Sequence, residues 1–175
     1  ILSGELMNSG GVAHRLVAFA KTLVGFLPGG LALINIISAM LMGSVAGSAM
    51  ASASAMGSIL GPEMEKEGYS RGFGVAINIT SATTGLVIPP SNILIVYSLA
   101  SGGASIAALF LAGYIPGILT GLFLMIVAML WAKKKNFKTG KREPLKKVLN
   151  SFVRAFPSLM LLIVVIGGIV SGVFT

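Results

Sequence analysis

The sequence predicts an all-α membrane protein in which transmembrane helices accompany a re-entrant helical hairpin and a discontinuous helix. Hydrophobic residues make up 55% of the 175 residues and charged residues only 10%, with a mean hydropathy of +0.93. No charged residue or histidine lies between Gly72 and Ala132, which leaves room for roughly two or three crossings of about 20 residues each. Gly, Ala and Ser dominate residues 43–57, and Pro89-Pro90 interrupts a second apolar stretch. These interruptions indicate non-helical backbone within the membrane.

The composition also excludes several classes of function. The chain has no cysteine, so it has no disulfide framework, thiolate nucleophile or zinc–thiolate site. His14 is the one histidine, which excludes any metal site that needs two. The net charge of +8 comes mostly from eight Lys and Arg residues within the segment 133–147. A short basic segment between apolar stretches is typical of a cytoplasmic loop near anionic lipid headgroups, and it does not indicate nucleic-acid binding.

Residues 1–27 are predicted to hold the end of a span and an interfacial amphipathic helix. Residues 5–25 have apolar positions at helical spacing, with a break expected at Gly10-Gly11. Ile1–Gly4 has the composition of a span already under way, and the chain ends at Thr175 while still apolar. We therefore expect a fragment of a longer membrane protein.

Residues 28–62 are predicted to form the re-entrant hairpin. Pro28 suits a helix start, and the first arm, Pro28–Gly43, is too short to cross a bilayer. A second arm follows from Ala49 and is predicted to stop at Gly61-Pro62. Small residues between the arms let backbones approach closely, and glycine permits a sharp reversal. Such backbone is tolerated at membrane depth only where protein or a water-filled cavity surrounds it, so the tip is predicted to line a polar site.

Residues 63–103 are predicted to form a polar connection followed by a discontinuous transmembrane helix. The connection is the charged segment 63–71, and a helix then runs from Phe73 to a break at Pro89-Pro90. A double proline cannot lie in a regular helix interior, and it biases the residue before it away from helical angles. The second half-helix is predicted over Asn92–Ala100.

The last third of the chain is predicted to cross the membrane twice. Residues 104–132 form a full-length transmembrane helix that contains Pro116. Residues 133–156 form the basic cytoplasmic loop and an interfacial helix over Leu145–Phe156, and residues 157–175 form the next span. With the basic loop in the cytoplasm, the hairpin opens to the cytoplasm and its tip lies near mid-membrane.

The hairpin tip and the helix break are predicted to meet and to form a binding site. Interrupted helices leave free carbonyls at one broken end and free N–H groups at the other, which suit cations and anions respectively. Transporters use this arrangement for substrate and coupling-ion sites, so the pattern points to transport. The carbonyl and hydroxyl groups offered there belong to Ser44, Ala46, Gly47, Ser48, Thr83, Thr84, Gly85, Ile88, Pro90 and Ser91.

The coupling ion is predicted from what the apolar stretches lack. Proton-coupled transporters usually place an Asp, Glu or His inside the membrane, and the stretch 72–132 contains none of them. Coordination by carbonyl and hydroxyl oxygens alone suits a hard cation, which favours Na⁺. A carboxylate elsewhere in the longer protein stays an open alternative.

Simpler structural roles compete with binding for several residues. Gly43–Gly47 has the four-residue spacing of tight helix packing, although the density of small residues around it favours a binding role. Pro89-Pro90 could be a kink alone. Asn35 and Asn78 are predicted to make interhelical hydrogen bonds, and His14 to be a solvated interfacial residue. The packing role is predicted for Gly113, Gly117, Gly121, Gly168 and Gly172.

Six short segments follow one another along the chain as Gly4–Met7, Leu27–Gly30, Gly43–Ala49, Gly68-Tyr69, Ile88–Ser91 and Leu109–Gly117. As an ordered set they resemble the large membrane subunit (the M, or DctM-like, subunit) of tripartite ATP-independent periplasmic transporters. The resemblance covers most of the chain. It implies the N-terminal half of an inverted-repeat, elevator-type transporter of the bacterial inner membrane, with the second repeat absent from the chain.

The same resemblance implies the coupling ion, the partners and the substrate class. The ion is Na⁺, and the partners are a small membrane (Q) subunit and a periplasmic substrate-binding (P) protein. The substrate is an organic acid of the sialic acid or C4-dicarboxylate class. No constellation of nucleophile, base and orienting group is present, so no enzyme activity is expected.

Site residues are also implied by the resemblance. Family sodium sites use backbone carbonyls at the hairpin tip and the helix break, which correspond here to Ala46, Ser48, Gly85, Ile88 and Pro90. Many relatives carry Ser where this chain has Ala46, so a hydroxyl ligand is lost there while the carbonyl remains. The substrate is expected to contact Ser44, Gly47, Ser48, Thr84 and Ser91.

Three other functions stay open from the sequence. A channel could use a re-entrant loop as its selectivity filter, and it would need no delivery protein. A stand-alone Na⁺/carboxylate symporter would also need none. A membrane anchor for an enzyme complex would transport nothing, although the chain contains no substantial soluble domain. The particular organic acid, the Na⁺ stoichiometry, the fusion of the two membrane subunits and the oligomeric state are left undecided.

Overall fold

The computed structural model describes residues 10–137, 139–140 and 142–173, and these residues contain seven α-helices and no strand. The prediction of an all-α fold is confirmed. The expectations for Ile1–Gly4 and the segment Gly4–Met7 lie outside the described residues. The helices are α1 (Val12–Val24), α2 (Gly30–Ala46), α3 (Ala49–Lys66), α4 (Arg71–Val87), α5 (Asn92–Ala100), α6 (Ile106–Lys134) and α7 (Leu145–Val170).

Helix α1 is amphipathic and begins directly after a glycine. Gly11 has a φ of 73°, a left-handed conformation that suits glycine. The N-terminal side of the break predicted at Gly10-Gly11 lies outside the described residues. Ala13, Leu16 and Ala20 are fully buried on one face, whereas His14 lies exposed on the other. The position of α1 at a membrane interface stays a prediction.

Helices α2 and α3 form a hairpin whose two-residue tip is Gly47-Ser48. The arms lie side by side, because the Ser52 hydroxyl of α3 donates a hydrogen bond of 3.0 Å to the Ala39 carbonyl of α2. Helix α2 is mostly apolar and has only 17 residues, so it is shorter than an ordinary span. Its re-entrant path through a membrane stays a prediction.

The predicted stop of the second arm at Gly61-Pro62 is wrong, since α3 continues to Lys66. A proline inside a helix removes one backbone hydrogen bond, and that loss is offset here by burial on both sides of it. Leu60 and Met64 are each 1% exposed. Packing of these two side chains therefore holds the helix past the proline, and the connection to α4 shrinks to Glu67–Ser70.

Helices α4 and α5 have the predicted break between them. They end and begin on either side of Ile88–Ser91, and their axes bend by 49°. Together they are long and apolar enough for one broken span, or for a re-entrant loop. The Ser91 hydroxyl accepts a hydrogen bond from the Leu94 N–H and caps the new helix.

Helix α6 is the longest helix and satisfies the length and hydropathy of a full span, with Pro116 inside it as predicted. It packs against the centre of the fold through small residues. A Cβ atom added at Gly113 would lie 2.6 Å from the Val87 carbonyl oxygen, and one at Gly117 or Gly121 would overlap Ile88 or Met40. The packing role predicted for these three glycines is confirmed.

Helix α7 is one continuous helix, so the predicted change of element at Pro157 is wrong. Proline costs one backbone bond in an otherwise regular helix, and the helix continues past Pro157 with Ala155 and Ser158 buried on either side of it. Its residues 145–169 are long and apolar enough to cross a membrane. Gly172 lies beyond its end, and a Cβ atom added there would meet no atom of the described residues within 4 Å, so the packing predicted for Gly172 is not seen. The packing predicted for Gly168 stays a prediction.

Four aromatic rings fasten the α3–α4 connection to the end of α6. The rings of Phe73 and Trp131 stack with centroids 3.7 Å apart, and those of Tyr69 and Phe137 stack with centroids 4.1 Å apart. Burial, with a smaller contribution from the negative charge of Glu67, raises the pKa of Tyr69 to about 12. The folded state therefore favours the neutral phenol.

This raised pKa predicts a loss of stability in alkali. Below pH 10 the phenol is neutral in both states, and Tyr69 makes its full contribution to the free energy of unfolding. Between pH 10 and about 12 the unfolded chain ionises its phenol while the folded chain does not, so this contribution is lost. The thermal unfolding midpoint of the purified membrane complex should therefore fall more steeply above pH 10 in the wild type than in Tyr69→Phe. Equal slopes in the two proteins would contradict this.

Candidate functional site

The candidate site begins at a glycine–glycine crossing between α2 and α4. Gly43 and Gly85 are both buried, and a Cβ atom added to either would overlap the Cα atom of the other. Only glycine permits two helix backbones to lie this close. The crossing brings the hairpin tip and the helix break together, as the sequence predicted.

Both crossing helices end just beyond this contact. Helix α2 ends at Ala46, where Gly47 has a φ of 60° and its N–H donates to the Gly43 carbonyl at 2.7 Å. Helix α4 ends at Val87, and the N–H of Ile88 donates to the Thr84 carbonyl at 3.0 Å. The last four carbonyls of a helix have no partner within the regular helix, and its C-terminus carries a partial negative charge. Two such ends close together favour a cation.

A helix also begins beside each of these ends. Ser48 caps α3, with its hydroxyl accepting from the Ala51 N–H at 3.3 Å, and Ser91 caps α5. The first N–H groups of α3 and α5 point out of their helices at the same breaks. Helix N-termini favour anions, so the site offers complementary groups for a cation and an anion within a few residues.

Asn92 is a site residue that the sequence analysis used only as a helix start. A Cβ atom added at Gly47 would lie 3.3 Å from the side-chain amide of Asn92. The Asn92 side chain is exposed, and it is the first residue of α5. A polar residue directly after the double proline and its cap was the signal that could have identified it.

Most of the hydroxyl groups predicted as ligands already donate hydrogen bonds to nearby backbone carbonyls. Ser44 donates to the Met40 carbonyl at 2.8 Å, Thr84 donates to the Ser81 carbonyl, and Ser91 donates to the Leu86 carbonyl. Thr83 donates to Thr80 and is exposed. Each of these hydroxyls has used its one donor and keeps acceptor lone pairs. They can therefore coordinate a cation but cannot donate a hydrogen bond to an anion.

Among the remaining predicted ligands, Ile88 is buried against α6 and Pro90 is half-buried at the break. Within the described residues no cluster of His, Cys, Asp or Glu could hold a metal ion. The groups that the tip and the break offer are carbonyl and hydroxyl oxygens, which suit a hard cation better than a soft transition metal.

Asn35 and Asn78 hold the helices around the site. The Asn35 amide oxygen accepts from the Ser81 hydroxyl at 3.1 Å, which joins α2 to α4. The Asn78 amide nitrogen donates to the Ala53 carbonyl at 2.8 Å, which joins α4 to α3. Their predicted role as interhelical hydrogen bonders is confirmed.

The whole chain, residues 1–175, matches the family model described as "Tripartite ATP-independent periplasmic transporter, DctM component". The chain belongs to this family. The family is a family of transporters, and two relatives of the chain are named large permease proteins.

Relatives of this DctM-family chain come from several bacteria. It is 57% identical to the uncharacterised protein YgiK of Salmonella typhimurium, covering all of the chain and 40% of that protein. It is 41% identical to the C4-dicarboxylate TRAP transporter large permease protein DctM of Pseudomonas aeruginosa and 38% identical to the sialic acid TRAP transporter large permease protein SiaM of Vibrio cholerae. The alignments cover the whole chain and 41% of each protein. The chain thus spans about two fifths of the length of these relatives.

Proposed function

We propose that this chain is part of the transport subunit of a Na⁺-coupled secondary transporter that imports an organic acid across a bacterial inner membrane. The observation that carries the proposal is the Gly43–Gly85 crossing, which places the C-termini of α2 and α4 side by side. Two partial negative charges in a region without charged side chains suit Na⁺. The ligands proposed for it are the carbonyls of Ala46, Ser48, Gly85, Ile88 and Pro90.

The substrate proposed is a small organic anion, bound beside the ion. The backbone N–H groups at the N-termini of α3 and α5, capped by Ser48 and Ser91, suit its acidic group. Ser44, Gly47 and Thr84 are proposed to line the rest of the substrate site. The names of three relatives support the class, since they specify C4-dicarboxylate, sialic acid and isethionate. The remainder of the longer protein would complete the site.

The proposed mechanism is alternating access of the elevator type. Helices α2–α5 form the moving part, with the α2–α3 hairpin re-entrant from the cytoplasm, and residues 133–147 form a cytoplasmic loop. A small membrane subunit and a periplasmic binding protein complete the transporter. Family membership supports both partners.

Uptake into proteoliposomes that contain the complete membrane complex tests this function. Radiolabelled C4-dicarboxylate, sialic acid and isethionate would be offered with and without an inward Na⁺ gradient, and with and without the periplasmic protein. We expect one of the acids to accumulate only when both are present. Uptake that is equal with and without the binding protein would instead favour a stand-alone symporter, and non-saturable flux would favour a channel.

A further inference from the structure

A cleft of about 460 Å³ separates α1 from the first half of α7, away from the hairpin tip. Two contacts hold its walls together. The hydroxyls of Thr22 and Ser151 lie 3.1 Å apart, and the rings of Phe19 and Phe152 pack with centroids 5.6 Å apart. The cleft is therefore a feature of the folded pair of helices.

The charges that line this cleft are mostly positive. Arg15 and Lys21 come from α1, and Lys147 and Arg154 come from α7. One carboxylate lines it as well, that of Glu143, and it accepts from the Lys147 ammonium at 2.7 Å. The other three cations, on two different helices, have no carboxylate partner among the described residues of the cleft, and they would suit an anion with several oxygen acceptors, such as a phosphate diester.

The position of the cleft along α7 indicates that this anion carries acyl chains. Arg154 is the last charged residue of α7, and the 21 residues that follow it contain none. Apolar side chains then cover the outer surface of the helix, with Phe156 43%, Met160 50% and Ile163 63% exposed. A cationic cleft directly above an exposed apolar surface matches the headgroup level of a bilayer.

We propose that the cleft between α1 and α7 binds the headgroup of an anionic phospholipid, whose acyl chains lie along the exposed apolar face of α7. Arg15 and Arg154 bind the phosphate from opposite walls, and Lys21 adds to the attraction. The bound lipid joins α1 to α7 and so braces the part of the subunit outside the hairpin. This binding does not depend on the transported substrate or on Na⁺.

Native mass spectrometry of the complete membrane complex tests the site directly. The complex would be equilibrated in detergent with equal amounts of phosphatidylglycerol and phosphatidylcholine, and the retained lipids counted. The test variant is Arg15→Gln with Arg154→Gln, and the matched control is Lys133→Gln with Lys134→Gln, two exposed cations at the end of α6. A cation that faces the bound headgroup contributes roughly fivefold to binding of an anionic lipid, and the lining of the cleft includes Arg15 and Arg154 but neither lysine of the control.

We expect the wild type and the Lys control to retain phosphatidylglycerol preferentially, and the Arg variant to lose about twentyfold or more of that preference. Both variants replace exposed side chains, and unchanged gel-filtration profiles would verify folding. Equal losses in the two variants would show general attraction to the membrane and overturn the proposal. Displacement of the lipid by inorganic phosphate or glycerol 3-phosphate at matched concentration would overturn it too, by identifying a free-anion site.

Discussion

Replacing Gly43 by Leu should prevent the hairpin from packing against α4. Even a single added Cβ atom would overlap the Cα atom of Gly85, and that atom belongs to the backbone and cannot rotate away. Overpacking of this kind typically costs 1–3 kcal/mol, so about 3 kcal/mol is expected for a side chain as large as Leu. The variant should insert into membranes yet give little monodisperse complex, with a lowered thermal unfolding midpoint.

Gly72→Leu is the matched control for this substitution. Gly72 also lies in a helix, α4, but a Cβ atom added there meets no atom within 4 Å. Its unfolding midpoint should stay close to the wild-type value. If Gly43→Leu were as stable as Gly72→Leu, the close crossing of α2 and α4 would not exist in the assembled protein.

Gly47→Ala should abolish uptake while leaving the complex inserted and folded. Gly47 has a φ of 60°, where a side chain costs roughly 1–2 kcal/mol, and the added methyl would lie 3.3 Å from the Asn92 amide. The tip must then shift, and with it the carbonyls at the end of α2 and the first N–H groups of α3. Binding sites lose much of their activity when groups move by about 1 Å.

Gly102→Ala separates backbone strain from loss of the site. Gly102 has a φ of 84°, in the turn after α5, but no atom lies within 4 Å of an added Cβ. The two variants should show similar losses of stability, and only Gly47→Ala should lose uptake. Uptake is measured in proteoliposomes at matched protein content. If the two variants took up the substrate equally well, Gly47 would not be part of the site.

Much of this arrangement could be predicted because its signals are local. A double proline ends a helix wherever it occurs, so the break between α4 and α5 follows from Pro89-Pro90 alone. The tip follows from the run of Gly, Ala and Ser, since few other structures within a membrane need so many small residues. The partner of Gly43 did not follow, because Gly85 is 42 residues away and nothing local specifies which helices cross.

Other features could not be predicted because packing overrides the local rule. Pro62 and Pro157 both lie inside helices, where buried or apolar neighbours hold the backbone in place. The contact of Asn92 with Gly47 depends on the direction that the α5 axis takes after the 49° bend from α4. That angle comes from the assembly of α2, α4 and α6 and has no counterpart in the sequence pattern.

Binding of ²²Na⁺ to the purified complete complex most directly tests whether the joined helix ends hold the coupling ion. We predict saturable binding that unlabelled Na⁺ displaces and K⁺ does not, present in the wild type and Gly102→Ala and lost in Gly47→Ala. Absence of saturable binding in the folded wild type, or unchanged binding in Gly47→Ala, would contradict a Na⁺ site formed by the hairpin tip and the helix break.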